Sequence, residues 1–138
     1  MAIDRTSAST YTVTNERGGT IVVSSGGGTA FTPVELLLTA IAACTAVDVD
    51  IVTARRAEPD SFRVEASANK VRDEHGNHLK DIEVTFKVAF SEGSAGDKAR
   101  EVLPGIVEMS HNRLCTVSRT VELGTPITSR VANGSAPE

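Results

Sequence analysis

Three observations on this 138-residue chain predict an α+β fold. Two pairs of segments carry strand-like patterns around turn residues, and one segment is apolar on nearly every side of a helical wheel. The elements follow one another as hairpin, helix, hairpin, helix, strand. At this length a single domain is expected over residues 1–138, with a polar tail from about 132 to 138 that frays. A domain this small has little material to cover an all-round apolar helix, so a partner subunit is expected to help bury it.

Each element has its own local reason. Tyr11-Thr12-Val13-Thr14 and Thr20-Ile21-Val22-Val23 flank the turn Asn15-Glu16-Arg17-Gly18-Gly19, which predicts an N-terminal hairpin. The glycines of Ser24 to Thr29 read as a connector, because Gly26-Gly27-Gly28 lacks the spacing and the trailing Lys of a phosphate-binding loop. Thr32-Pro33-Val34-Glu35 starts a helix, with Thr32 as N-cap, Pro33 at the first helical position and Glu35 completing a capping box. From Leu36 through Val52 the apolar residues point to burial on most faces of this central helix. Asp48, Asp50, Arg55 and Arg56 return it to solvent, and Glu58-Pro59-Asp60 stops it.

Phe62, Val64, Ala66 and Ala68 share one parity, as do Ile82, Val84, Phe86, Val88 and Phe90, while Arg63, Glu65, Glu83, Thr85 and Lys87 take the other. These are two half-buried strands joined by a turn within Asp73-Glu74-His75-Gly76-Asn77-His78. Ser94 to His111 reads as a second helix, apolar at Ala99, Val102, Leu103, Ile106, Val107 and Met109, and kinked or split at Pro104-Gly105. Val117, Val121, Leu123, Ile127 and Val131 make Thr116 to Val131 a closing strand.

A net charge of −4 argues against nucleic-acid or anionic-membrane partners, which reward clustered Lys and Arg. Met1 to Thr12 lacks a basic stretch followed by an apolar one. The longest uncharged apolar run, Leu36 to Val47, is too short to span a bilayer. The expected location is cytoplasmic, where two distant cysteines are thiols or a redox pair rather than a permanent staple.

Those cysteines are the only candidate nucleophiles of note. Cys44 lies too deep in its helix for the terminal dipole to activate it, and taken alone it reads as a small buried apolar residue. Cys115 has His111, Arg113 and Arg119 nearby in sequence, and cations stabilise thiolates. Reducing a peroxide with thiols takes a nucleophilic sulfur, a cation to keep it ionised and a second thiol to resolve the sulfenic acid. The chain supplies all three types, with Arg17, Arg113 and Arg119 as candidate cations. Asp48, four residues after Cys44 on the same face, would raise a thiol pKa rather than lower it. His75 and His78 have a metal-like spacing but sit in a turn with no completing ligand pattern, so no metal and no cofactor is expected.

The run Thr-Pro-Val-Glu-Leu-Leu-Leu-Thr-Ala-Ile-Ala-Ala-Cys-Thr-Ala-Val-Asp-Val (32–49), followed about seventy residues later by Leu-Cys-Thr-Val-Ser (114–118), resembles the OsmC/Ohr family, the osmotically inducible protein C and organic hydroperoxide resistance proteins. The resemblance implies a swapped α+β homodimer in which antiparallel sheets from both subunits wrap two central helices. It also implies thiol-dependent reduction of small organic hydroperoxides in oxidative-stress defence, with Cys44 attacking, Cys115 resolving and an external dithiol regenerating both. The family's peroxidases carry a Glu directly after the helix-opening Pro, paired with an activating Arg from the N-terminal strand region. Here that position is Val34, which places the chain nearer the OsmC-like branch, with Pro-x-Glu-Leu-Leu-Leu and Cys-Thr-x-x-Asp. Arg17 and Glu35 are the candidates for that pair, although Glu35 is turned about 100° from the expected position and capping accounts for it. The alternative function is a non-catalytic dimer of the same fold that binds a small apolar ligand at the subunit interface.

Overall fold

A computed structural model describes residues 1–132. All but the first residue of the polar tail expected from 132 onward lies outside the described residues. The chain opens with three antiparallel strands, β1 (Ala2–Ser7), β2 (Thr10–Thr14) and β3 (Thr20–Ser24), in the order β1-β2-β3. β2 and β3 are the expected hairpin, closed by Asn15, whose side chain accepts the N–H groups of Arg17 and Gly19 at 2.9 Å each. β1 has no sequence signature, because all six of its residues are exposed and backbone pairing to β2 is what holds it.

Helix α1 (Pro33–Ala54) begins as its capping box dictates. The Thr32 hydroxyl accepts the Glu35 N–H at 3.3 Å, and a Glu35 carboxylate oxygen accepts the Thr32 N–H at 2.7 Å. At 22 residues and mean hydropathy 1.9, α1 is long and apolar enough to cross a membrane by length and composition, beyond what its uncharged run suggests. It packs instead as a core helix against the second hairpin and the two later helices. Within one subunit it buries a single stripe, Ile41, Ala42, Thr45, Val49 and Thr53, rather than most of its faces.

Strands β4 (Ser61–Asp73) and β5 (Gly76–Ala89) form a long hairpin with the expected facing. Phe62 pairs with Val88, Val64 with Phe86 and Ala66 with Val84 on one face, and Phe62 meets Phe86 edge to face at 6.4 Å. On the other face Glu65 bonds Arg63 and Lys87, which together hold its carboxyl at about 2. The turn is tighter than the polar stretch implied: Gly76 at φ +87 pairs directly with Asp73, leaving only Glu74 and His75 in the loop. A bulge between Ser67 and Asn69 interrupts the ladder, so Ala68 and Ile82 fall outside the regular alternation.

Helix α2 (Ser94–Met109) is neither split nor ended at Pro104. Proline removes one backbone bond, and buried Ala99 and Ile106, seven residues apart on the same face, anchor the two halves. In its first turn Gly96 is buried against the Ser91 carbonyl, well inside the distance a Cβ would need. Gly96→Ala is expected to cost about 1–3 kcal/mol through forced backbone movement, measured as a lower denaturant midpoint at unchanged slope.

A π-helical turn (Ser110–Leu114) follows, then helix α3 (Thr116–Glu122). The strand expected over Thr116 to Val131 does not form. Residues 116–122 are helical, capped by Cys115 and supported by Thr120 bonding the Thr116 carbonyl at 2.7 Å and Arg119 bonding Glu122 at 2.6 Å. Residues 125–132 carry no regular structure, and Ile127 and Val131 are almost fully exposed.

Candidate active site

The fold brings Cys44 and Cys115 together. Cys44 sits midway along α1, half-buried, and Cys115 is fully buried at the junction of the π-turn and α3, which both pack on α1. The sequence motif around Cys115 makes this junction. Cys115 has extended backbone angles, and its sulfur accepts the Ser118 N–H at 3.3 Å, as an N-cap side chain does. Its own N–H reaches back to the Ser110 carbonyl at 2.8 Å, the wide bond that closes the π-turn. The Ser118 hydroxyl lies 3.2 Å from the same sulfur.

The two thiols lie close enough to influence each other's ionisation and are driven in opposite directions. Burial pushes the Cys44 thiol above its ordinary range. The Cys115 side chain and the charges of Cys115 and Asp48 push the same way, and the Val117 backbone opposes them. Burial also works against ionisation of Cys115. There it is outweighed by the side chains of Cys44, Ser118 and Thr45 and by the Ser118 N–H, which hold Cys115 below the ordinary thiol range. Of the two, Cys115 is therefore the thiol that ionises more readily and Cys44 the one that holds its proton more firmly. Ser118 and Thr45 are functional neighbours that the sequence reading passed over. The Cys115-x-x-Ser118 spacing, the same i to i+3 relation as an N-cap, was the available signal.

The candidate cations do not join them within one subunit. Arg17 is exposed in the β2–β3 turn, on a sheet that makes little contact with the remaining elements. Arg119 is bound to Glu122, which also holds His111 at 2.9 Å. Arg113 is exposed beside Glu108 and Met109. No guanidinium figures among the groups that perturb Cys44. Glu35 is held by the N-cap, where the Thr32 N–H and then its hydroxyl keep the carboxyl below its usual value. His75 and His78 face Glu74 and Asp73 at the β4–β5 turn, at 3.5 and 3.6 Å.

A cavity of about 350 Å3 opens between α1, β5 and the two later helices. Its walls include Ile41, Val84, Phe86 and Val107, and it reaches Thr45 and Ser118, the two hydroxyl residues that bond Cys115. An organic group of modest size fits against such walls, with its polar end toward the hydroxyls.

Comparison with known proteins agrees with this architecture. A family model described as OsmC-like protein matches residues 26–130. An uncharacterized protein of Mycobacterium tuberculosis is 28% identical over 135 residues, covering 97% of this chain and 96% of its own. Among solved structures, an OsmC-like protein of unknown function from Vibrio cholerae superposes with a TM-score of 0.70 at 17% identity, covering 83% of this chain and 79% of that one. The organic hydroperoxide resistance protein OhrB of Bacillus subtilis superposes at 0.52 with 21% identity, covering 88% and 90%.

Proposed function

The chain belongs to the OsmC-like protein family, and from that premise we propose that it is a cytosolic thiol peroxidase that reduces small organic hydroperoxides in oxidative-stress defence. The observation that carries this reading is the closeness of two thiols with opposite ionisation tendencies, one half-buried and one buried. Packing alone does not require the Ser118 N–H and hydroxyl both to converge on one sulfur, as they do on that of Cys115.

The chemistry runs in two steps. Cys44 sulfur attacks the outer peroxide oxygen, an S–O bond forms, the O–O bond breaks and the leaving alkoxide takes up a proton to become the alcohol. The proton that Cys44 loses is the one that the alkoxide gains. Cys115, the more readily ionised thiol, then attacks the Cys44 sulfenic sulfur as its thiolate and forms the disulfide, and the departing hydroxide takes up the proton that Cys115 lost and becomes water. An external dithiol reduces the disulfide by exchange and is itself oxidised. Val34, in place of an acidic residue, leaves no helix carboxylate at that position to orient an Arg.

The functional unit in this reading is a homodimer. The β1–β3 sheet hardly touches the rest of its own subunit, and α1 leaves an apolar stripe exposed, so a second copy covering both would bring an N-terminal sheet, with its Arg17, toward the other subunit's helix. A second reading, a non-catalytic dimer that binds a small apolar ligand, is favoured by the upward-driven Cys44 thiol and the apolar cavity.

Mixing the reduced protein with cumene hydroperoxide separates the two. One alcohol and one Cys44–Cys115 disulfide per subunit, seen by chromatography and peptide mass, is the expected result. Recovery of intact hydroperoxide and free thiols after hours overturns the peroxidase reading.

A further inference from the structure

One polar contact near the thiols plays no part in the steps above. Asp48 stands one turn beyond Cys44 on α1, and a carboxylate oxygen accepts the Ser110 hydroxyl at 2.6 Å. Ser110 is fully buried and opens the π-turn, and its carbonyl accepts the Cys115 N–H at 2.8 Å. A continuous path therefore runs from the helix that carries Cys44, through Asp48 and Ser110, to the backbone of Cys115.

We infer that Asp48 is a positioning residue for the thiol pair: through Ser110 it clasps the π-turn to α1 and so sets the approach of Cys115 to Cys44. A hydrogen bond to a charged acceptor is the stronger kind, and a buried hydroxyl without its partner would be left unsatisfied, so the clasp resists opening. The π-turn needs such a tether, because its wide bonds alone fix its register poorly against α1. The carboxylate also acts through its charge, opposing ionisation of Cys44 and so favouring the arrangement in which Cys115 is the thiolate.

The Asp48 charge adds to larger influences that act on Cys44 in the same direction. On Cys44 the other influences are burial, Cys115 and the Val117 N–H. On Cys115 they are burial, Cys44, Ser118 and Thr45. Of the charged side chains on the neighbouring elements, His111 and Arg119 bond Glu122, Arg63 and Lys87 bond Glu65, and Arg100 bonds Asp97, while Arg113 on the π-turn is exposed.

The inference rests on the thiol-pair reading, and its test uses no hydroperoxide, so the two can fail separately. Wild type, Asp48→Asn and Ser110→Ala are equilibrated with glutathione and its disulfide, and the Cys44–Cys115 disulfide fraction is read by peptide mass. Ser110→Ala is expected to lower the disulfide equilibrium about tenfold, the worth of one charge-assisted hydrogen bond. Asp48→Asn keeps an acceptor for Ser110 but loses the charge. It is expected to move the pH profile of Cys44 alkylation by iodoacetamide to lower pH, a change that a merely structural role would not produce. Should Ser110→Ala fail to fold by circular dichroism, the Asp48→Asn profile decides alone. A wild-type profile for Asp48→Asn, or a wild-type equilibrium for folded Ser110→Ala, overturns the inference.

Discussion

Cys44→Ser is expected to lose hydroperoxide turnover by about a thousandfold or more, since a serine hydroxyl cannot replace the attacking sulfur. Cys115→Ser is expected to behave differently. Its first reduction proceeds and stops, leaving one oxygen on Cys44 as the sulfenic acid and one alcohol per subunit. The first step should also shift along the pH axis. In the wild type burial holds the Cys44 thiol up, and the Cys115 side chain and its charge add to this, next to Asp48. Removing the second thiol takes away those two influences, so Cys44 should ionise at lower pH and the single-turnover rate should rise earlier on the acid side. Stopped-flow measurement of peroxide consumption across pH, with mass analysis of the trapped sulfenic acid, checks both points. If Cys115→Ser consumes no peroxide while Cys44→Ser consumes one equivalent, the attacking and resolving assignments are reversed, an order that the readier ionisation of Cys115 makes chemically feasible.

What the sequence disclosed of this site follows the range of the forces involved. The α1 start was legible because a capping box is a four-residue device, and Thr32, Pro33 and Glu35 occupy the positions their chemistry requires. The β4–β5 facing was legible because period two is a property of the strand itself, and Val64 and Phe86 meet across the hairpin as their parity demands. β1 was not, since Ala2 to Ser7 are exposed on both faces and only the edge of β2 selects them. Residues 116–122 misled for the opposite reason. Val117, Thr120 and Val121 favour strands by propensity, but the Cys115 cap and the Arg119–Glu122 pair make a short helix there. The meeting of Cys44 with Cys115 is a long-range fact, and no local spacing encodes it. The sequence pointed to it only through resemblance to a family, and it contained no hint that Asp48 would reach Ser110.

The apolar stripe left on α1 leads to the other large expected effect. Leu37, Val47 and Ile51 are 40%, 58% and 50% exposed, and with Cys44 they fall within an arc of about 80° on the helix, roughly opposite the buried stripe. Side chains of this kind in such a row are covered in a stable assembly, and the family premise points to a second copy of the chain as the cover. Val47→Asp combined with Ile51→Asp would bury two unpaired carboxylates in that contact, at a cost of several kcal/mol, enough to dissociate an ordinary dimer. The double variant is expected to sediment as a monomer at concentrations where the wild type is dimeric, while Glu58→Lys, past the helix end, leaves the dimer intact. Because Cys44 lies in the middle of the same row and no guanidinium acts on it within one subunit, the monomeric variant should also lose turnover although both thiols are present. A monomeric wild type, or a double variant that stays dimeric, removes the second subunit from the site. A monomeric double variant with wild-type turnover would show that one subunit activates Cys44 by itself.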